Sequence, residues 1–192
     1  MNFSIDKISV LLDRHNKAEL PEDGRSRAAV AMVLRQGECG VELLFIQRAK
    51  HEKDPWSGNI AFPGGKALQG EGLRQAAERE TAEEIGLDLA EALYLGRMPE
   101  VVGSYLPVRV TCFVYWLPGP PGRLELNYEV FDIFWAGLND IIAAESQILS
   151  TVNFGGEAFE TPAINLLWPG APVLWGLTYR LTRQFIDSCL LC

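Results

Sequence analysis

Glu80, Glu83 and Glu84 stand at i, i+3 and i+4 in a stretch, Gly72 to Leu87, that contains no proline and is dominated by Ala, Leu, Glu, Arg and Gln. Such a composition favours a helix. At ~100° per residue, Glu83 and Glu84 then lie within about one side chain of Glu80. Leu73, Ala76, Ala77 and Leu87 fall on the same side, so carboxylates that would normally oppose the apolar stripe share it and repel one another. A cation relieves that repulsion. Carboxylate oxygens suit Mg²⁺ or Mn²⁺, and no Cys or His stands nearby to favour zinc. Taken alone, the glutamates also fit a plain solvated helix with Arg74 and Arg79 as partners. The flanking residues tip the reading towards a metal. Gly64-Gly65 frees the backbone to fold tightly, and lets a carbonyl such as that of Gly64 face the ion. Gly86 suits a left-handed helix stop. Arg79 is expected to point away from the metal face and to brace the preceding loop through Glu71.

The segment Gly65 to Leu87 resembles the Nudix box: Gly65, five residues, Glu71, seven residues, Arg79-Glu80, Thr81, one residue, Glu83-Glu84, one residue, Gly86 and Leu87. Every fixed polar and glycine position is matched. Thr81 stands where that family usually has Leu, Ile or Val, and its valine-like size should preserve the packing. The resemblance implies an α/β/α sandwich with a mixed sheet and a loop-helix-loop metal site. It also implies Mg²⁺- or Mn²⁺-dependent hydrolysis of a nucleoside diphosphate linked to another moiety. Glu80 and Glu84 would be the first metal ligands, with Glu83 completing the set or extending it to a second ion. The general base would lie in the box, at Glu83 or Glu80, or on a later loop, where Glu129 is the best candidate. A solvated edge-strand glutamate is the other reading of Glu129.

Upstream, Arg48-Ala49, Gly58 and Phe62-Pro63-Gly64-Gly65 resemble the accessory motif of the coenzyme A pyrophosphatase branch. Ile46 replaces its Thr, Lys53 replaces its Arg, and one extra residue separates Lys53 from Gly58. Lysine supplies charge but no bidentate fork. Coenzyme A or a derivative is therefore the leading substrate, with ADP-ribose, a dinucleotide or a nucleoside triphosphate as alternatives. Arg48 and Lys53 are the candidate phosphate contacts. Trp56 could stack on a base, although a turn tryptophan capping the core is the favoured reading. His51 could contact phosphate or simply lie in solvent. A non-catalytic nucleotide-sensing module is a competing class, which would have no need of the complete glutamate set.

The rest of the chain must position these residues. Its 192 residues, 48% apolar and 22% charged, fit one domain with a real core. The net charge of −8 argues against nucleic-acid binding. Cys39, Cys112, Cys189 and Cys192 form no metal or redox framework, the terminal C-x-x-C pair lacking a second pair. With no apolar run near ~18 residues and no signal-peptide start, a soluble cytoplasmic protein is expected. Two copies pairing along an edge strand would be compatible with such a fold. Helices are expected at Ile5–His15, through the box, at Leu138–Glu145 and at about Val173–Ser188. Strands are expected at Ala28–Leu34, Val41–Arg48, Asn59–Phe62, Leu93–Val102, Val108–Leu117 and Tyr128–Trp135, with two more around Gly155-Gly156. The turn-rich Pro118 to Gly122 should join neighbouring strands.

Overall fold

The computed structural model describes residues 5–13, 24–52, 54–103, 107–167 and 170–189. The β-prone run Val108–Leu117 forms a strand with those bounds, β7, and is buried along nearly its whole length. It lies parallel to β1 (Ser26–Gly37) from Ser26↔Val108 to Arg35↔Leu117. A strand flanked on both faces is free to be apolar throughout, which is why β7 lacks alternation.

β1 turns tightly into β2 (Gly40–Arg48), but their direct pairing ends at Leu34↔Leu43. Beyond that point the hairpin opens. β3 (Ile60–Ala61) fills the gap against β2, and β4 (Gly64–Lys66) fills it against β1. This wedge brings the chain close enough to β1 that a Cβ on Gly64, at φ +148°, would collide with Ala29 O. β5 (Leu93–Arg97) and β6 (Val101–Val102) pair with β7, and β8 (Val130–Gly137) pairs with the far edge of β2. All pairings but β1–β7 are antiparallel, so the sheet is mixed.

Alternate residues of β1 and β2 feed two cores, as a period of two requires. Met32, Leu34, Leu43 and Phe45 face α1 (Ile5–Asp13), α3 (Leu138–Ile142) and α4 (Gly176–Cys189), through Ile8, Leu12, Ile141, Leu181 and Phe185. Ala29, Ala31, Val33, Leu44 and Ile46 face α2 (Leu73–Ile85), through Ala76, Ala77 and Ile85. The result is the α/β/α layering expected of the family.

Several expectations need correction. The stretch Leu93–Val102 splits into β5 and β6 where its register on β7 shifts between Arg97↔Phe113 and Val101↔Val110, although Met98 N–H still donates to Cys112 O of β7 at 2.8 Å. The helix after Gly137 stops at Ile142, and a 3₁₀ turn follows at Ala144–Ser146. α4 begins at Gly176 rather than Val173, since Leu174 is bridged to Ile164. Tyr128 and Glu129 precede β8 instead of opening it. The turn-rich segment after β7 does not join neighbours. β1 and β2 lie between β7 and β8. The segment crosses the C-terminal end of α2, where Glu125 N–H donates to Ile85 O at 3.0 Å and Asn127 N–H to Glu84 O at 2.9 Å. β9 (Gln147–Phe154) and β10 (Glu157–Ile164) form the expected hairpin, but as a separate two-stranded sheet.

Among the described residues, no helix is long and apolar enough to cross a membrane. Cys39 is exposed and Cys112 buried, both unbridged, and burial pushes the Cys112 thiol up to about 12, which leaves it inert. Cys192 and the side chain of Cys189 lie outside the described residues, as do His15 and Lys53.

Candidate active site

β4 delivers the chain into a loop and then into α2, whose N-cap and C-cap are Gly72 and Gly86. Gly86 has φ +68°, the left-handed stop that its position implied. Thr81 is fully buried and donates its hydroxyl proton to Ala77 O at 2.7 Å, so the hydroxyl that an aliphatic residue would lack is satisfied within the helix.

The buried face of α2 comprises Ala76, Ala77, Thr81, Glu84 and Ile85. Only one of the three glutamates is on it. Glu84 has a side chain 3% exposed, whereas that of Glu83 is 57% exposed and paired through Oε2 with Arg79 Nη1 at 2.9 Å. Glu80 lies between these extremes, 3.0 Å from Arg79 Nη2, with its carboxylate beneath Gly65. A Cβ on Gly65 would come within 2.5 Å of the Glu80 carboxyl carbon. The three carboxylates are thus spread apart: Glu80 and Glu83 share Arg79, and Glu84 takes the Gly64 amide. Among the described residues no group of three His, Cys, Asp or Glu side chains converges on one point.

Arg79 does brace the loop. Its Nε and Nη2 reach the two Glu71 carboxylate oxygens at 2.8 and 3.1 Å, and Nη2 also donates to Lys66 O at 3.3 Å. Glu71 Oε2 accepts from Leu68 N–H at 2.8 Å. The Arg79 bond, followed by the Leu68 amide, holds the Glu71 carboxyl below its usual range. Arg79 does not point away from the glutamates as expected, since it also touches Glu80 and Glu83.

Glu84 is electrostatically unusual. Burial pushes its carboxyl up to about 7, opposed by the Gly64 amide and by Arg48 and reinforced by the charges of Glu80 and Glu129. Its Oε2 accepts from Gly64 N–H at 2.9 Å, and its Oε1 is 3.9 Å from Arg48 Nη1. The Gly64 amide thus fixes the orientation of the Glu84 carboxylate.

Glu80, Glu84 and Glu129 border one cavity of about 780 Å³, together with Arg48, Trp56 and Gly65. Glu129 is exposed at this rim and its backbone is fixed, its N–H donating to Asn127 Oδ1 at 2.8 Å and its carbonyl accepting from Ala49 N–H at 2.8 Å. Arg48 is held by Asp54, at 2.9 Å from Nε and 2.8 Å from Nη2. Trp56 is half-buried and packs against the larger core while also lining the cavity. His51 is exposed on the same rim. The donor chemistry fits a hard divalent cation: carboxylate oxygens, with that of Glu84 raised chiefly by its burial and further by the charges of Glu80 and Glu129. Glu80 and Glu84 supply carboxylate oxygens on the cavity wall, and Glu129 stands at its rim.

Asp54, Asn59 and Trp175 also line the cavity. Asp54 and Asn59 sit in the upstream loop without a motif of their own, and Trp175 comes from more than a hundred residues away. Sequence spacing carried no signal for any of them.

Residues 25–152 match the family described as NUDIX domain. Among curated proteins, the chain is 36% identical to an uncharacterized protein of Schizosaccharomyces pombe over 113 residues, 55% of this chain and 34% of that one. It is 26% identical over 147 residues to the uncharacterized Nudix hydrolase NudL of Yersinia enterocolitica, covering 76% of this chain and 73% of the relative. The chain thus spans about a third of the length of the yeast relative and about three quarters of the bacterial one. A MutT/nudix family protein from Enterococcus faecalis shares the fold, with a TM-score of 0.58 at 16% identity over 97% of this chain and 74% of that one.

Proposed function

The chain belongs to the Nudix family, and on that premise we propose that it is a pyrophosphohydrolase acting on a nucleoside diphosphate linked to a second moiety. The observation that carries this reading is the buried Glu84 carboxylate bordering one cavity with Glu80 and Glu129, whose charges reach it. A bound Mg²⁺ or Mn²⁺ would neutralise charge on the phosphoryl oxygens and make water a better nucleophile near neutral pH.

The chain's own residues do the rest. Glu80 and Glu84 hold the cation, and Gly64 N–H fixes the orientation of the Glu84 carboxylate. Glu129, exposed on an anchored backbone, takes the proton from the attacking water; Glu83 and Glu80 are the in-box alternatives for that role. Water adds its oxygen to one phosphorus, the bridging P–O bond breaks, and two phosphomonoesters leave. Arg48 meets substrate phosphate, which offsets locally the repulsion expected from a chain of net charge −8. Arg79 and Glu71 keep the loop in register with α2.

Coenzyme A or a derivative is the substrate favoured by Arg48-Ala49, Gly58 and Phe62 to Gly65, with Lys53 as a second cation towards the 3′-phosphate. The deciding experiment measures phosphomonoester release from coenzyme A, dephospho-coenzyme A and ADP-ribose with Mg²⁺ or Mn²⁺. Coenzyme A should have the highest kcat/KM and yield 3′,5′-ADP and 4′-phosphopantetheine. A preference of tenfold or more for ADP-ribose, about 1.4 kcal/mol at the transition state, would exclude coenzyme A and leave the hydrolase reading intact. No release from any nucleotide pyrophosphate would exclude both.

A further inference from the structure

Next to the main cavity lies a second one, of about 320 Å³, that shares Trp56, Trp175, Gly176 and Leu177 with it. Most of its remaining wall comes from the β9–β10 hairpin and α4, including Phe154, Phe159, Thr161, Tyr179 and Arg180, and Gly103 closes it from beside β6. Apart from Trp56, the aromatic walls lie beyond residue 152, so they are additions to the segment that matches the family. The separate β9–β10 sheet, which adds no strand to the main sheet, thereby acquires a role.

The rings form a corner. Trp56 and Phe154 have centroids 6.0 Å apart at 50°, Phe154 and Trp175 6.0 Å at 79°, and Phe159 and Trp175 5.9 Å at 75°. Each pair is in direct contact, and none is parallel. A flat base sandwiched between two rings needs parallel faces about 7 Å apart, twice the usual stacking distance, which these pairs do not offer. A quaternary cation would find aromatic faces, but also Arg180 in the same wall. Trp175 donates its Nε1–H to Asn59 Oδ1 at 3.2 Å, so its one polar atom is engaged by a residue of the main cavity. Arg180 is likewise tied back, with Nη1 donating to Val102 O at 2.7 Å. The space left is bounded largely by apolar ring surface and adjoins the main cavity at the four residues the two share.

We propose that this second cavity is a specificity subsite for an apolar chain on the substrate half that lies away from the nucleoside. This deepens the reading above and rests on it for the position of the phosphates. An alkyl or thioether chain fits a corner of tilted rings, because dispersion contacts do not demand parallel planes. Phe159 and Trp175 are then positioning residues for binding and take no part in the chemistry.

The test uses P²-methyl and P²-octyl esters of ADP, together with their non-hydrolysable α,β-methylene analogues. In the wild-type chain kcat/KM for the octyl ester should exceed that for the methyl ester by tenfold or more, with the difference in KM. Calorimetry with the analogues should show the same tenfold in affinity. Phe159→Ala, which opens the corner, and Thr161→Trp, which fills it, should each bring both ratios to within about twofold of unity. Leu149→Ser, on an exposed position of the same hairpin, should leave them unchanged. Equal values for the two esters in the wild-type chain, with turnover present, overturn the subsite and spare the hydrolase. Chain-dependent affinity without turnover of either ester sustains the subsite and overturns the hydrolase. Ratios that survive both Phe159→Ala and Thr161→Trp overturn the assignment of the cavity.

Discussion

Glu84 links stability to protonation through its position on the buried side of α2. Its carboxyl is pushed up to about 7 from an ordinary value of 4.5, chiefly by burial. A raised folded-state value means that the folded chain holds a proton which the unfolded chain releases. The associated stability is complete below about pH 4.5 and is lost as pH rises through about 7. In chelator, the free energy of unfolding should therefore fall between pH 5 and pH 8. Glu84→Gln should flatten that fall and leave the variant roughly 1–3 kcal/mol more stable than wild type at pH 8, while abolishing most turnover. Urea melts at both pH values check the first claim and phosphomonoester release the second; a variant less stable than wild type at pH 8 would refute the electrostatic reading of Glu84. Arg79 couples differently, since one guanidinium reaches Glu71, Glu80, Glu83 and the Lys66 carbonyl. Arg79→Ala should lower stability by roughly 1–2 kcal/mol and reduce the rate as well. Arg79→Lys should restore little of either, because an ammonium cannot span a bidentate carboxylate and a second partner together. Unchanged melting with lost activity would assign Arg79 to the substrate instead.

The wedge of β3 and β4 gives its two glycines different duties. At Gly64 an added Cβ would strike the backbone of Ala29 and Val30, which cannot move without opening β1. At Gly65 the same atom would meet only the end of the Glu80 side chain, which can swing away. Gly64→Ala should consequently lose several degrees of melting temperature or fail to fold. Gly65→Ala should melt within a few degrees of wild type and lose activity through the displaced Glu80. Equal melting losses in the two variants would contradict this division. The contrast was invisible in the sequence, where the two glycines are adjacent and alike. What was legible there was local: the bounds of β7, the hairpin about Gly155-Gly156, the left-handed Gly86 and the Arg79–Glu71 brace each depend on a few residues at short range. The orientation of Glu83 was not, because helical spacing places a side chain within reach of several partners and the nearest arginine decides among them. The aromatic corner was not either, being assembled from Trp56, Phe159 and Trp175 across more than a hundred residues.

Across the whole molecule, a net charge of −8 and a buried, crowded carboxylate act in the same direction. On the proposed function, both should make the chain more stable with divalent cation present, and protons should compete with the cation at Glu84. Mg²⁺ or Mn²⁺ should accordingly raise the melting temperature more at pH 8 than at pH 5.5, and a calcium-free, chelator-treated sample provides the baseline; an equal shift at both pH values would place the ion elsewhere. The crossover from β7 to β8 has a consequence of its own. Its amides at Glu125 and Asn127 are bonded to the last carbonyls of α2, at Ile85 and Glu84. They lie in a segment whose proline and glycine content would otherwise suggest rapid exchange with solvent deuterium. Tied to the helix end, they should exchange at the pace of that helix, in one cooperative opening event, and any substitution that frays the last turn of α2 should release the labels of residues 125 and 127 together.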